Sequence, residues 1–247
     1  MHCAARAHIM RDEALDPLAE YRRVNVDGTL ALARQAAAAG VKRFVFISSI
    51  GVNGGQTFGK PFTEEDTPQP EEPYALSKWE AEQALQTLAA DSDMELVVIR
   101  PPLVYGSNAP GNFGRLINAV RRGMWLPLGA VHNRRTLVAL DNLVDLILLC
   151  SHHPAAAGQI FLAGDGEDLS TTQLLRGLGD AMGRSARLLP IPVAFMALGA
   201  GLLGKKGLVN KICGDLQVDI TKARDLLGWN PPLTVAQGLQ KAVKGLR

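Results

Sequence analysis

Short apolar runs alternate along this chain with longer stretches of helical period. Residues 41–47 are compact and rich in β-branched and aromatic side chains, which predicts a strand. Residues 95–99 and 159–163 predict two more, the first closed by Arg100-Pro101-Pro102. Residues 19–39 read as a helix ended by Gly40, a residue suited to the left-handed turn after a helix. Residues 51–73 hold four glycines, four prolines and the trio Glu64, Glu65, Asp66, which predicts a surface loop. A helix over 74–90 would bury Ala81, Ala84, Leu85 and Leu88, leaving Glu80, Glu82, Gln83 and Gln86 in water. Helices follow over 112–122 and 142–150. Ser170 with Gln173 forms a capping box opening another, and 234–243 closes the series after Pro231-Pro232. Strands alternating with helices imply βαβ units, so the expected class is α/β. A parallel sheet with helices on both faces explains strands that are apolar throughout. From about residue 165 the pattern is helix-rich and predicts a smaller lobe.

Composition narrows the classes. The chain has 247 residues, 47% hydrophobic and 20% charged, with a formal net charge of +2, which argues against nucleic acid or a polybasic membrane protein as the reading. Cys3, Cys150 and Cys213 are odd in number and form no C-x-x-C, so a reducing, cytoplasmic setting is expected, without a disulfide framework. His2, Cys3 and His8 fit no standard metal spacing, and no metal is expected. Residues 1–10 lack the apolar core of a signal peptide. Residues 190–204 are the most apolar stretch but too short to span a bilayer, and Pro192, Gly199 and Gly201 interrupt them. They predict a buried helix, with a lipid-facing one as the alternative.

The candidate chemistry sits at the start of the 74–90 helix. Tyr74 and Lys78 lie four apart, which places them on one face a turn apart. A phenol is a poor base at neutral pH, and a nearby ammonium favours its phenolate. Lowering its pKa by about three units takes roughly 4 kcal/mol, within reach of one close cation plus a helix N-terminus. Ser49 follows the strand at 41–47, where a parallel sheet presents its functional loops, and its hydroxyl could hold a substrate oxygen.

These motifs together resemble the extended short-chain dehydrogenases/reductases of the nucleotide-sugar epimerase/dehydratase group, over nearly the whole chain. HCAARAH resembles the segment after the family's fourth strand, and PYALSK the catalytic helix. IRPPLVYG resembles the next strand and its cofactor-side loop, RRTLVALDNLVD a diphosphate-binding segment, and DITKARDLLGWNPPLTVAQGL the closing signature of the C-terminal lobe. The resemblance implies a Rossmann-like domain over 1–164, with substrate-binding insertions around 107–140, and a substrate lobe over 165–247. It implies catalysis by Ser49, Tyr74 and Lys78. NAD or NADP would lie beside Ala4, Ala5, Asn25, Tyr74, Lys78, Pro101 and Val104. Ser49, Asn112 and Arg135 would take the nucleotide sugar, and Leu126 and Leu128 would pack on its base or in the core. A homodimer is a family habit.

Ile50-Gly51 follows Ser49 where the family's 4,6-dehydratases carry an Asp-Glu pair, so dehydration is disfavoured. The expected activity is 4-epimerisation of a UDP-hexose or UDP-N-acetylhexosamine through a 4-keto intermediate. The alternatives are a 4-ketosugar reductase and a non-catalytic remnant that binds a partner. Family members open with a strand and a G-x-x-G-x-x-G turn for the pyrophosphate. No such strand and turn lie ahead of His2, so an N-terminally truncated sheet and weak NAD binding are expected. Gly199-Ala-Gly-Leu-Leu-Gly204 followed by Lys205-Lys206 matches a dinucleotide fingerprint literally. It lacks the required preceding strand and reads as a glycine-rich helix end.

Overall fold

The computed structural model describes residues 1–7, 16–107, 109, 111–202 and 206–244. His8, Gly204 and Lys205 lie outside them. In chain order the elements are α1 (Pro17–Arg22), α2 (Gly28–Ala38), β1 (Arg43–Ile47), α3 (Pro73–Ala90), β2 (Glu95–Arg100), β3 (Leu103–Tyr105), α4 (Gly111–Arg121), β4 (Arg135–Ala139), α5 (Leu140–His152), β5 (Ile160–Leu162), β6 (Asp168–Leu169), α6 (Thr171–Ala181), α7 (Val193–Leu202), α8 (Lys206–Cys213), α9 (Thr221–Leu227) and α10 (Val235–Ala242).

The predicted parallel sheet is present as β1-β2-β5, with Phe46 opposite Val98 and Ile99 opposite Phe161. His2 continues it on the far side of β1, in a parallel bridge with Phe46. Both faces are covered. Phe44, Phe46, Leu96 and Val98 pack against Ala33 of α2 and Ala81 and Leu85 of α3. Val45, Val97 and Ile99 belong to the core shared with α5, α9 and Trp229. This is the Rossmann-like sandwich expected of strands apolar on both sides.

The sequence pattern did not reveal a second sheet, β3-β4-β6, in which β4 runs parallel to β3 and antiparallel to β6. Three and two residues are too few to show a period in β3 and β6. This sheet carries its own core with α4, α6 and α10. Residues 215–219 link the two units, since Leu216 bridges Arg135 while Val218 bridges Phe62.

Three local expectations are corrected. Glu82, expected in water, is fully buried and paired with Arg100. The helix expected as one piece over 19–39 is interrupted by a π-helical turn, Arg23–Asp27, between α1 and α2. Residues 50–52 form a 3-10 turn at the start of the 51–73 loop. Gly199–Leu202, the described part of the literal glycine match at 199–204, lie within α7, a helix rather than the strand-to-helix turn that a dinucleotide needs. Two capping boxes, Ser170/Gln173 and Thr234/Gln237, start α6 and α10 with reciprocal bonds.

Candidate active site

β1 and β2 deliver the site. Ser48 N–H donates to Ile99 O at 2.7 Å and Ile50 N–H to Pro101 O at 2.9 Å, so the ladder continues past the strand ends. The chain then turns, with the Ser49 hydroxyl accepting from Gly51 N–H at 3.1 Å. A Cβ on Gly51 would lie 3.1 Å from the Ala75 Cβ and 3.4 Å from Ser49 Oγ. The absence of a side chain at Gly51 therefore lets the Ser49 turn close on the first turn of α3, next to Tyr74.

Pro73 occupies the first turn of α3, where its fixed backbone angle suits a helix start. Tyr74 follows, its ring 6.0 Å edge-on from Tyr21. One turn on, Lys78 is 2% exposed. Its ammonium donates to Ile47 O at 2.7 Å and lies 4.4 Å from the centre of the Phe46 ring. Burial pulls the Lys78 pKa down to about 8, against the raising effects of Glu82 and Cys3.

The expected lowering of the Tyr74 pKa is not what this arrangement produces. Burial, followed by the neighbouring Tyr21, pushes it up to about 12. The physical reason is the loss of solvent around the phenol, with the Tyr21 ring beside it, while the Lys78 ammonium is held on a backbone carbonyl.

Asn25 is fully buried in a π-helical turn, Arg23–Asp27. Its side chain accepts from Arg6 N–H at 2.7 Å, donates to Arg6 O at 3.1 Å and donates to Ser77 Oγ at 3.0 Å. Ser77 in turn donates to Tyr74 O at 2.8 Å. One amide thus ties the segment bearing Ala4 and Ala5 to the backbone of the Tyr74 helix. Ser48, which the motif reading did not single out, is 3% exposed, and its hydroxyl has no hydrogen-bond partner among the described residues.

The donor set at these strand ends is a phenol, a buried ammonium and an unpaired hydroxyl. It suits a polar ribose edge rather than an apolar ligand. Pro101 is buried behind it and Val104 is half-buried in β3.

The remaining candidates lie in the second unit. Asn112 is exposed on α4. Arg135 is partly buried and donates to Lys211 O at 3.0 Å and Gly214 O at 3.1 Å. Leu126 is half-buried beside Leu188, whereas Leu128 is buried in the second core. Glu64, expected on the surface, is half-buried and accepts Leu162 N–H at 2.9 Å; burial raises its pKa. An ion pair of 2.5 Å between Lys211 of α8 and Glu72, the residue before α3, joins the two units near Tyr74.

Comparison with known proteins shows the family of this chain. The model of the NAD dependent epimerase/dehydratase family matches residues 1–164. A UDP-glucose 4-epimerase of Vibrio cholerae is 48% identical over 246 residues, covering 99% of this chain and 75% of that protein. Another, of Mycolicibacterium smegmatis, is 31% identical, over 100% of this chain and 75% of its own length. Among solved structures, UDP-glucose 4-epimerase of Thermotoga maritima with UDP-glucose superposes with a TM-score of 0.79 at 25% identity, covering 100% of this chain and 76% of that one. The fold and these matches agree, and the chain belongs to the NAD-dependent epimerase/dehydratase family.

Proposed function

We propose that this chain is a UDP-sugar 4-epimerase, with UDP-glucose as the leading substrate. The observation that carries this reading is the Ser49-Tyr74-Lys78 arrangement at the strand ends, supported by the 48% identity to a UDP-glucose 4-epimerase. Tyr74, Lys78 and Ser48 would hold the ribose of NAD. Asn25 would keep the Ala4–Ala5 segment beside it, and Pro101 and Val104 would close the far side. Bound NAD would supply a hydride acceptor that can also return the hydride.

The protein's own groups manage the oxygen and its proton. Ser49 Oγ would donate to the sugar O4, leaving O4–H directed at Tyr74 Oη. Tyr74 would take that proton as the C4 carbon is oxidised and return it when the 4-keto sugar is reduced on its other face. With the phenol held near 12, this step depends on positive potential. The first turn of α3 and the Lys78 ammonium give part of it, and bound NAD would add the positive charge of its oxidised nicotinamide, favouring the phenolate that accepts the proton. Arg135 and Asn112 would take the diphosphate, where a guanidinium makes paired contacts. Ile50-Gly51 offers no acid to expel water from the sugar, so the 4-keto sugar has no route to dehydration at that position.

Incubation with UDP-glucose and NAD, followed by anion-exchange separation of the sugar nucleotides, tests the reading. The expected product is UDP-galactose without net NADH formation. Stoichiometric use of NAD(P)H on a 4-keto sugar would identify a reductase instead. Calorimetry of NAD binding to the 247-residue chain separates a remnant from an enzyme.

A further inference from the structure

Among the described residues of 190–204 the predicted burial is only half met. α7 is apolar on all sides. Val193 and Met196 pack against the second core, while Ala194, Phe195, Leu198 and Gly199 face outward. Phe195 is 66% and Leu198 67% exposed. A helix apolar all round is normally buried or in lipid. Beside α7, residues 187–189 pair with 126–129. Leu126 N–H donates to Arg187 O, and Gly129 N–H donates to Leu189 O, each at 2.9 Å. This pairing carries Met124 and Trp125, 50% and 62% exposed, and Leu189, 40% exposed.

The two segments that carry this patch hold charge of one sign. Residues 107–140 contain Arg115, Arg121, Arg122, Arg134 and Arg135 and no acidic residue. Residues 183–214 contain Arg184, Arg187, Lys205, Lys206 and Lys211 and no acidic residue. The net charge of +2 conceals this segregation. Arg121, Arg122, Arg184 and Arg187 are exposed. The Arg187 guanidinium lies 5.8 Å from the centre of the Trp125 ring and so borders the apolar side chains, while Arg184 donates to Arg121 O at the end of α4.

We infer that this face seats the chain on an anionic lipid surface, with Phe195, Leu198, Trp125 and Met124 entering the headgroup boundary and the arginines meeting lipid phosphates. The arrangement combines the two signals that stable peripheral attachment needs, an apolar insertion and a basic surround. An exposed Trp at the rim suits that boundary. A second copy is the poorer occupant, because a two-fold contact through this face would set like-charged arginines against each other. Among the described residues no helix is long and apolar enough to cross a membrane, so the contact is one of surface attachment. The inference stands independently of the catalytic reading.

Co-sedimentation of the full 247-residue chain with vesicles, in the absence of NAD and sugar nucleotide, provides the test. Vesicles of phosphatidylglycerol and phosphatidylethanolamine should bind the chain at least about tenfold more tightly than phosphatidylcholine alone. Raising salt from about 0.1 M to about 0.5 M should weaken that preference. The double variant Phe195→Ser/Leu198→Ser should lose about tenfold or more on the anionic vesicles. Arg121→Gln/Arg122→Gln should lose roughly fivefold per charge on them. Circular dichroism of both variants confirms folding, since all four side chains are exposed. Absence of binding to anionic vesicles by the folded chain would overturn the inference. So would concentration-dependent self-association that the serine variant abolishes while vesicle binding is unchanged.

Discussion

Lys78 shows what a buried charge costs and what it provides. Its pKa near 8, against an ordinary 10.5, means that the unfolded chain holds a proton between those values that the folded chain has released. Stability contributed by this group therefore rises with pH across roughly 8 to 10.5 and is lowest below 8. The shift corresponds to about 3 kcal/mol at most. Lys78→Met should stabilise the ligand-free chain at pH 7 by about 1–3 kcal/mol in urea unfolding, and the gain should shrink toward pH 10. The same variant should lower kcat by about 10²–10⁴, as should Tyr74→Phe, with KM for the sugar nucleotide little changed. Unchanged turnover in both variants would remove Tyr74 and Lys78 from the mechanism. The spacing of these two residues was legible in the sequence. The direction of the Tyr74 pKa was not, because it depends on burial by the surrounding chain and on the Tyr21 ring, both set by residues distant in sequence.

At the scale of elements, the limit of sequence reading is clearest in α3. Its start, its length and its small apolar residues were readable from local pattern, because Pro73 sets the first turn and Ala81 and Leu85 keep helical spacing. Glu82 was misplaced because its partner is on another element. Arg100, at the end of β2, is 1% exposed and forks onto the Glu82 carboxylate, with the shortest bond at 2.6 Å. Its remaining arm donates to Asn53 Oδ1 at 3.0 Å, and Asn53 donates to Thr63 O at 2.8 Å. This network fastens α3, β2 and the loop after Ser49 into one piece. Glu82→Gln leaves a buried guanidinium without its counter-charge and should cost about 3–5 kcal/mol. The double variant Glu82→Leu/Arg100→Met should recover most of that stability, as apolar replacements of buried pairs often do. Equal losses in the single and double variants would show that the pair stabilises through shape rather than charge. Gly51 tests the same junction from the other side. Gly51→Val adds bulk where a Cβ already lies 3.1 Å from Ala75, and should reduce kcat more than it reduces stability, by moving Ser49 relative to Tyr74.

At the scale of the whole molecule, the question is whether two sheets with separate cores behave as one unit. The short strands of the second sheet were invisible in the sequence, yet their attachment is tight. Thr136 of β4 is the joint. Its hydroxyl donates to Asp168 Oδ1 at 2.5 Å and accepts Val218 N–H at 2.8 Å, while Gln217 Nε2 reaches the other Asp168 oxygen at 2.6 Å. Leu216 and Val218 pack into the first core even though their backbone pairs with the second sheet at Arg135 and with the loop at Phe62. Either unit would expose part of the other's packing by opening alone, so a single unfolding transition is expected. Thr136→Val keeps the shape of the side chain but leaves a buried N–H and a carboxylate short of a partner, at a cost of about 1–3 kcal/mol. If the units are one cooperative body, Trp229 in the first core and the backbone signal should lose structure together in this variant, at a common lower midpoint in denaturant. A fluorescence midpoint unchanged from the parent, with the backbone signal split in two, would instead mean that residues 215–219 merely touch both cores. The cooperative outcome also bears on catalysis. It would mean that Arg135, seated on the carbonyls of Lys211 and Gly214, holds its position relative to Tyr74 through the same stitched segment, so the Thr136 variant should also raise KM for the sugar nucleotide.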